Sequence, residues 1–180
     1  MKLIRTIRLD PSDTFVFTRS AEPGEWAVSG AFVFWNQPLE GLVGKERAAF
    51  RSGLLGIASL GWSTLAVVSE ATAAERAGAV DQLARQLVAR FGAPDLATAR
   101  AAAEQEIDYA EQLAEPPVGT LIAVRRSDEN GDIRERFRTL LPGGDDLHNR
   151  AFHFEMSDEE PEERVDLMAL DNASNPQGRA

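Results

Sequence analysis

The dipeptide Asn130-Gly131 constrains the fold of this 180-residue chain more than any other feature, because it predicts a β-hairpin together with its register. Asn-Gly favours the two-residue type I′ turn, which needs positive φ at both of its central positions. Apolar and polar residues alternate on both sides of the turn, within residues 119–141. Residues equally distant from the turn should therefore face each other across the two strands.

The predicted register gives the hairpin two different faces, of which one should pack on the core. The facing pairs on that side are Ile122 with Thr139, Val124 with Phe137, and Arg126 with Glu135. The last pair joins opposite charges, which stabilises neighbouring strands. We expect it to close the outer end of the apolar face.

The other face of the hairpin collects an arginine cluster, made up of Arg125, Arg134, Arg136 and Arg138. Arg125 lies directly across from Arg136, and like charges in that position destabilise a sheet by up to roughly 1 kcal/mol. We therefore expect an acidic neighbour, a bound anion or open water around the cluster.

The rest of the chain predicts further strands and helices. Period-two alternation and turn residues indicate strands at 3–9, 14–18, 26–35 and 63–70, and Gly30 within the third suggests a bulge or a close backbone approach. Helices are expected at 45–52, at 72–92 after a capping box, and at 96–115. This order favours an α+β fold, with a mostly antiparallel sheet of about six strands and two main helices packed on one face.

Charge divides the chain into two parts. The net charge is −10, and residues 142–180 account for −7 of it, with 3 Lys/Arg against 10 Asp/Glu. We expect a compact domain at 1–141 and an acidic tail at 142–180, with a short strand at 150–156 and a short helix at 162–170. A net-acidic chain repels phosphate backbones, which argues against nucleic-acid binding.

The residue types that usually carry catalysis are scarce. No cysteine is present, which excludes disulfides and thiolate metal sites and is compatible with a cytoplasmic location. Both histidines, His148 and His153, lie in the tail, where exposed side chains are a simpler interpretation than a metal site with Asp146. We predict no catalytic residue, no metal and no cofactor. Because charged and aliphatic residues alternate over residues 1–10, we expect this segment to be neither a signal peptide nor a membrane span.

Three stretches of the sequence, at 25–32, 49–53 and 59–65, resemble a family of small bacterial proteins classed as a domain of unknown function. The resemblance covers about residues 1–141 and leaves the tail outside. It implies one compact domain, and it carries no activity, cofactor or site residue to this chain.

Two functions are consistent with these patterns. The first is a non-catalytic accessory or protein-interaction module, in which the tail docks on an unknown partner through Val165, Leu167, Met168 and Leu170. The alternative is a small-molecule or anion-binding protein, or an enzyme acting on a carboxylated or phosphorylated metabolite, with the arginine cluster and Trp35 or Trp62 lining its site.

Two further interpretations remain open at this stage. The acidic residues at 158–163 could fold back onto the arginine cluster, in which case no outside molecule is needed. The predicted strand at 26–35 is apolar on both faces, which fits either a central strand or a homodimer interface.

Overall fold

The computed structural model describes residues 1–141, which form an α+β structure with two antiparallel sheets. The elements in chain order are β1 (Lys2–Ile7), α1 (Asp13–Val16), β2 (Ala27–Val28), α2 (Gly44–Ser52), β3 (Leu54–Gly56), β4 (Trp62–Ser63), β5 (Leu65–Glu70), α3 (Ala73–Phe91), α4 (Leu96–Leu113), β6 (Leu121–Glu129) and β7 (Asp132–Leu140). Short 3-10 helices lie at Ala31–Phe34 and Leu39–Gly41. The strand and helix predicted in the tail lie outside the described residues.

The α+β class is confirmed, but the strands are shared between two sheets. The larger sheet has the order β1-β5-β6-β7, and the smaller one has the order β2-β3-β4. Neighbouring strands run antiparallel in both. No helix within residues 1–141 is long and apolar enough to cross a bilayer.

The predicted hairpin register is confirmed along the whole of β6 and β7. Val124 faces Phe137, Arg126 faces Glu135, and Arg125 faces the like charge of Arg136. The turn has the positive φ values that its sequence requires, 58° at Asn130 and 91° at Gly131.

Helices α3 and α4 pack on the apolar face of the larger sheet and form the main core with it. The buried residues of this core include Ala66, Val68, Ile122 and Val124 from the sheet, Val80, Leu83 and Leu87 from α3, and Ala99, Ala103, Ile107 and Ala110 from α4. The capping box at Thr72 is present, and α3 ends at Gly92 with a φ of 72°. These two helices confirm the periodic patterns that predicted them.

The strand predicted at 14–18 is wrong, because this segment contains the short helix α1. Its first residue, Asp13, is buried and accepts hydrogen bonds from the backbone N–H and the hydroxyl of Thr64. Phe17, which directly follows α1, is buried in a second apolar cluster. Contacts with distant residues therefore hold both ends of α1. Residues 53–61, where the sequence predicts neither a strand nor a helix, contain strand β3, which pairs with β2 and β4.

The strand predicted at 26–35 is present only as β2, because the chain turns at Gly30. Its φ is 81°, and a Cβ atom placed there would lie 2.7 Å from Cβ of Leu55 and 2.9 Å from the ring of Trp62. The close backbone approach expected at this glycine is therefore confirmed. A residue with a left-handed backbone cannot continue a strand, so a 3-10 helix follows.

We expect Gly30→Ala to destabilise the protein by about 2–5 kcal/mol, which combines about 1–2 kcal/mol for the left-handed backbone with about 1–3 kcal/mol for overpacking. Gly24→Ala is the matched control, since Gly24 has a φ of 86° but open space around its Cβ position. Urea unfolding of both variants measures the difference. Equal losses of stability would show that the contact with Leu55 and Trp62 has no energetic weight.

Candidate functional site

A buried arginine joins the hairpin to the rest of the domain. Arg126 is only 2% exposed, on the core face of β6. One of its terminal nitrogens, Nη1, donates to the backbone oxygens of Gly53 at 2.7 Å and Phe50 at 3.1 Å, at the C-terminal end of α2. The other, Nη2, donates to the backbone oxygen of Ser29, which follows β2. The guanidinium thus holds three separate segments together.

The charge of Arg126 is balanced by Glu135 on the facing strand. Nε of Arg126 donates to Oε1 of Glu135 at 2.7 Å, and the hydroxyl of Ser29 donates to the same oxygen at 2.5 Å. Burial lowers the pKa of Arg126, while the charge of Glu135 opposes that shift. The opposite-charge pair expected from the sequence is therefore present, but it is buried in the domain and does not close an outer edge.

The burial of this ion pair follows from the way the strands are paired. Strand β5 pairs with β6 only at Leu121 and Ile122. Beyond that point α2 packs beside β6 and brings the carbonyl groups at its end onto Arg126. A cation is favourable at a helix C-terminus, where the last carbonyl groups lack partners within the helix.

Two side chains from α4 add titratable groups next to this ion pair. The pKa of Glu106 is raised to about 7, mainly by burial and then by the nearby charge of Glu135, while the charge of Arg126 acts in the opposite direction. Burial and then Glu135 raise the pKa of Tyr109 to about 12. The ring of Tyr109 packs edge-on against Phe137, with 5.9 Å between the ring centroids. The cluster lies at the contact between α4 and the hairpin.

Arginines of two elements line a cavity of about 370 Å³ near the same strand, which we call the arginine cavity. Its lining residues are Arg51, Ser52, Ala123, Val124, Arg125 and Arg138. Arg51 belongs to the last turn of α2, whose end is held by Arg126. The anchoring of α2 therefore sets the position of Arg51 relative to the two arginines of the hairpin.

The arginine cavity is positively charged, and no carboxylate is among its lining residues. Within residues 1–141, neither a hydrogen bond nor an ion pair holds the guanidinium groups of Arg51, Arg125 and Arg138. A guanidinium can bind a carboxylate or a phosphate through two parallel hydrogen bonds. This arrangement can therefore bind an anion, with the apolar groups of Ala123 and Val124 beside it.

The structure brings together only part of the predicted arginine cluster. Arg125 and Arg138 line the cavity, whereas Arg134 forms an ion pair with Glu129 at 3.4 Å. Arg136 faces Arg125 in the strand ladder and is not one of the lining residues. Sequence reasoning missed Arg51, because no local pattern shows that α2 ends beside β6.

The two tryptophans expected at the site are located elsewhere. Trp35 is 67% exposed and lines a separate groove of about 810 Å³ between the 3-10 helices and the hairpin turn. Trp62 stacks on Phe34 in the interior, with 5.4 Å between the ring centroids. Neither tryptophan therefore lines the arginine cavity, although Trp35 shares its groove with Arg134 of the predicted arginine cluster.

Other predicted site residues lie outside the described residues. These are His148, His153 and the docking residues Val165, Leu167, Met168 and Leu170. Within residues 1–141, no three His, Cys, Asp or Glu side chains are grouped so that they could hold a metal ion. Two neighbouring acidic residues of α4, Asp108 and Glu111, form ion pairs with Arg76 of α3.

A comparison with known protein families matches residues 1–158 to a family of unknown function, DUF6505. The chain belongs to this family. The match confirms the expected relationship and extends it beyond residue 141, so that residues 142–158 are also part of the shared region. No curated protein and no solved structure matches the chain.

We expect Arg126→Met to lower the free energy of unfolding by about 3–5 kcal/mol, because it leaves Glu135 buried without its partner. The control is Arg100→Met, which removes two exposed ion pairs, with Asp81 and with Glu104, and should cost at most about 1 kcal/mol. Urea unfolding measures both variants. The double variant Arg126→Met/Glu135→Leu should regain part of the stability that Arg126→Met loses. Similarly small losses for Arg126→Met and Arg100→Met would contradict the structural role of Arg126.

The raised pKa of Glu106 predicts a loss of stability at high pH. The folded protein holds this proton more tightly than the unfolded chain, in which the pKa of the group has its ordinary value of 4.5. The stabilisation is complete below about pH 4.5 and disappears as the pH rises through about 7. We therefore expect Glu106→Gln to be more stable than the parent above pH 7 and similar to it near pH 4.5. Glu104→Gln, at an exposed position of the same helix, should show no such pH dependence.

Proposed function

We propose that this protein is a non-catalytic binding module that takes a ligand carrying carboxylate or phosphate groups in the arginine cavity. The observation that carries this proposal is the meeting of Arg51, Arg125 and Arg138 in one cavity that no carboxylate lines. Three guanidinium groups close together repel one another, and a bound anion removes that repulsion while accepting charge-assisted hydrogen bonds.

The anchoring of α2 supports this proposal. Arg126 ties the backbone oxygens of Phe50 and Gly53 to β6, on either side of Arg51 and Ser52 in the sequence. A site whose backbone is already held needs less ordering when a ligand binds, which favours affinity. The arginine cavity is thus built on a helix and a hairpin that a buried ion pair keeps in place.

The exposed Trp35 favours a second candidate function, a protein-interaction module. Together with Phe34, Leu39 and Ile133 it lines the larger groove, and aromatic side chains are common at protein interfaces. In this second proposal the groove or the tail would bind a protein partner, and a homodimer would be one form of it. The arginine cavity would then have no role in binding.

We further propose that the protein acts in the bacterial cytoplasm. The absence of cysteine supports this location, because proteins of oxidising compartments commonly contain disulfides. The acidic net charge supports a ligand or partner other than nucleic acid.

The first candidate predicts thermal stabilisation by inorganic phosphate or succinate at low salt. At about one hundred times Kd, a ligand stabilises a folded protein by about 2.7 kcal/mol, which should raise Tm by about 5 °C or more. Scanning fluorimetry of Arg125→Ala/Arg138→Ala should show no such rise. The control Arg85→Ala/Arg90→Ala changes two exposed arginines of α3 and should respond like the parent.

The same experiment separates the two candidate functions. Equal Tm shifts in the parent and in Arg125→Ala/Arg138→Ala would remove the arginine cavity as the binding site. No shift with either anion in any variant would favour the protein-interaction module instead.

A further inference from the structure

The chain itself contains a concentrated source of carboxylates that suits the arginine cavity. Residues 158–163 read Asp-Glu-Glu-Pro-Glu-Glu, with five carboxylates in six positions, and we call them the acidic run. The other five acids of the tail, Asp145, Asp146, Glu155, Asp166 and Asp171, are spread over a much longer stretch. Several arginines in one cavity are best matched by several carboxylates close together.

The distance along the chain allows the acidic run to reach the cavity. Arg138 lines the cavity three positions before Leu141, the last described residue. About 17 positions separate Leu141 from the acidic run, and a chain of that length can reach at most roughly 56–61 Å. Two groups joined in one chain within such a reach meet at an effective concentration of up to the millimolar range. Even weak carboxylate binding would then fill much of the cavity.

We propose that the acidic run binds in the arginine cavity of its own chain and competes there with outside anions. This inference rests on the proposed anion-binding function and adds a regulator to it. A ligand enters only when the acidic run leaves, so that the tail weakens the apparent affinity by the fraction of time in which it fills the cavity. The carboxylates of the run are thus the internal equivalent of the ligand.

The test compares two full-length variants with the same change in net charge. The first neutralises the acidic run by Asp158→Asn, Glu159→Gln, Glu160→Gln, Glu162→Gln and Glu163→Gln. The control neutralises the other five acids by Asp145→Asn, Asp146→Asn, Glu155→Gln, Asp166→Asn and Asp171→Asn. Titration calorimetry at low salt then measures the Kd of inorganic phosphate for the parent and both variants.

We expect phosphate to bind the first variant about tenfold more tightly than the parent. This is the gain in affinity if the acidic run fills the cavity of the parent about nine-tenths of the time. The control variant should bind within about twofold of the parent. An equal gain in both variants would mean that net charge alone matters, and it would overturn the inference. Tight phosphate binding that neither variant changes would overturn it as well, while the proposed anion-binding function would stand.

A second measurement tests the tail without any added ligand. Because the chain has no cysteine, Ser157→Cys provides one position for a nitroxide spin label. The spin label should broaden the backbone amide signals of Ser52 and Ala123 when the acidic run is intact. It should not broaden them when the acidic run is neutralised as in the first variant. Absence of broadening in the parent would overturn the inference. Broadening without phosphate binding would support the tail contact and reject the outside ligand.

One further control separates binding within a chain from binding between two copies. A chain that carries the spin label but no nitrogen-15 is mixed with a chain that carries nitrogen-15 but no spin label. Broadening in this mixture would show that the acidic run binds a second copy, which would overturn the proposed contact within one chain. The expected result is broadening when one chain carries both the spin label and nitrogen-15, and no broadening in the mixture.

Discussion

The ion pair of Arg126 and Glu135 is the interaction on which the arrangement of this domain depends. A guanidinium placed in a protein interior must have its donors satisfied, because an unpaired buried charge is strongly unfavourable. Here the donors reach one carboxylate and three backbone oxygens, those of Ser29, Phe50 and Gly53. The hairpin, the end of α2 and the segment after β2 therefore occupy one defined relative position.

Two consecutive arginines have different roles because successive side chains of a strand point to opposite faces. Arg126 points into the core and holds α2, whereas Arg125 points away and lines the arginine cavity. The buried arginine therefore helps to position the candidate site without lining it. The half-buried Glu106 and Tyr109 next to the ion pair connect the same region to α4.

Local chemistry explains which parts of the fold are predictable. The Asn130-Gly131 turn and the Thr72 capping box depend on residues close in sequence, and both are present as expected. The segments at 14–18 and 26–35 alternate like strands, but contacts with distant residues override that pattern. Asp13 is held by Thr64, and Gly30 lies against Leu55 and Trp62.

The sequence by itself determined the hairpin register, the two long helices and the presence of arginines on one hairpin face, since these follow from turn geometry and periodicity. Only the tertiary structure decided that Arg126 is buried and that Arg51 joins Arg125 and Arg138. Both facts depend on where α2 ends relative to β6, a contact between residues more than seventy positions apart. Pairing at such a separation comes from packing of the whole domain, and no local pattern of residues encodes it.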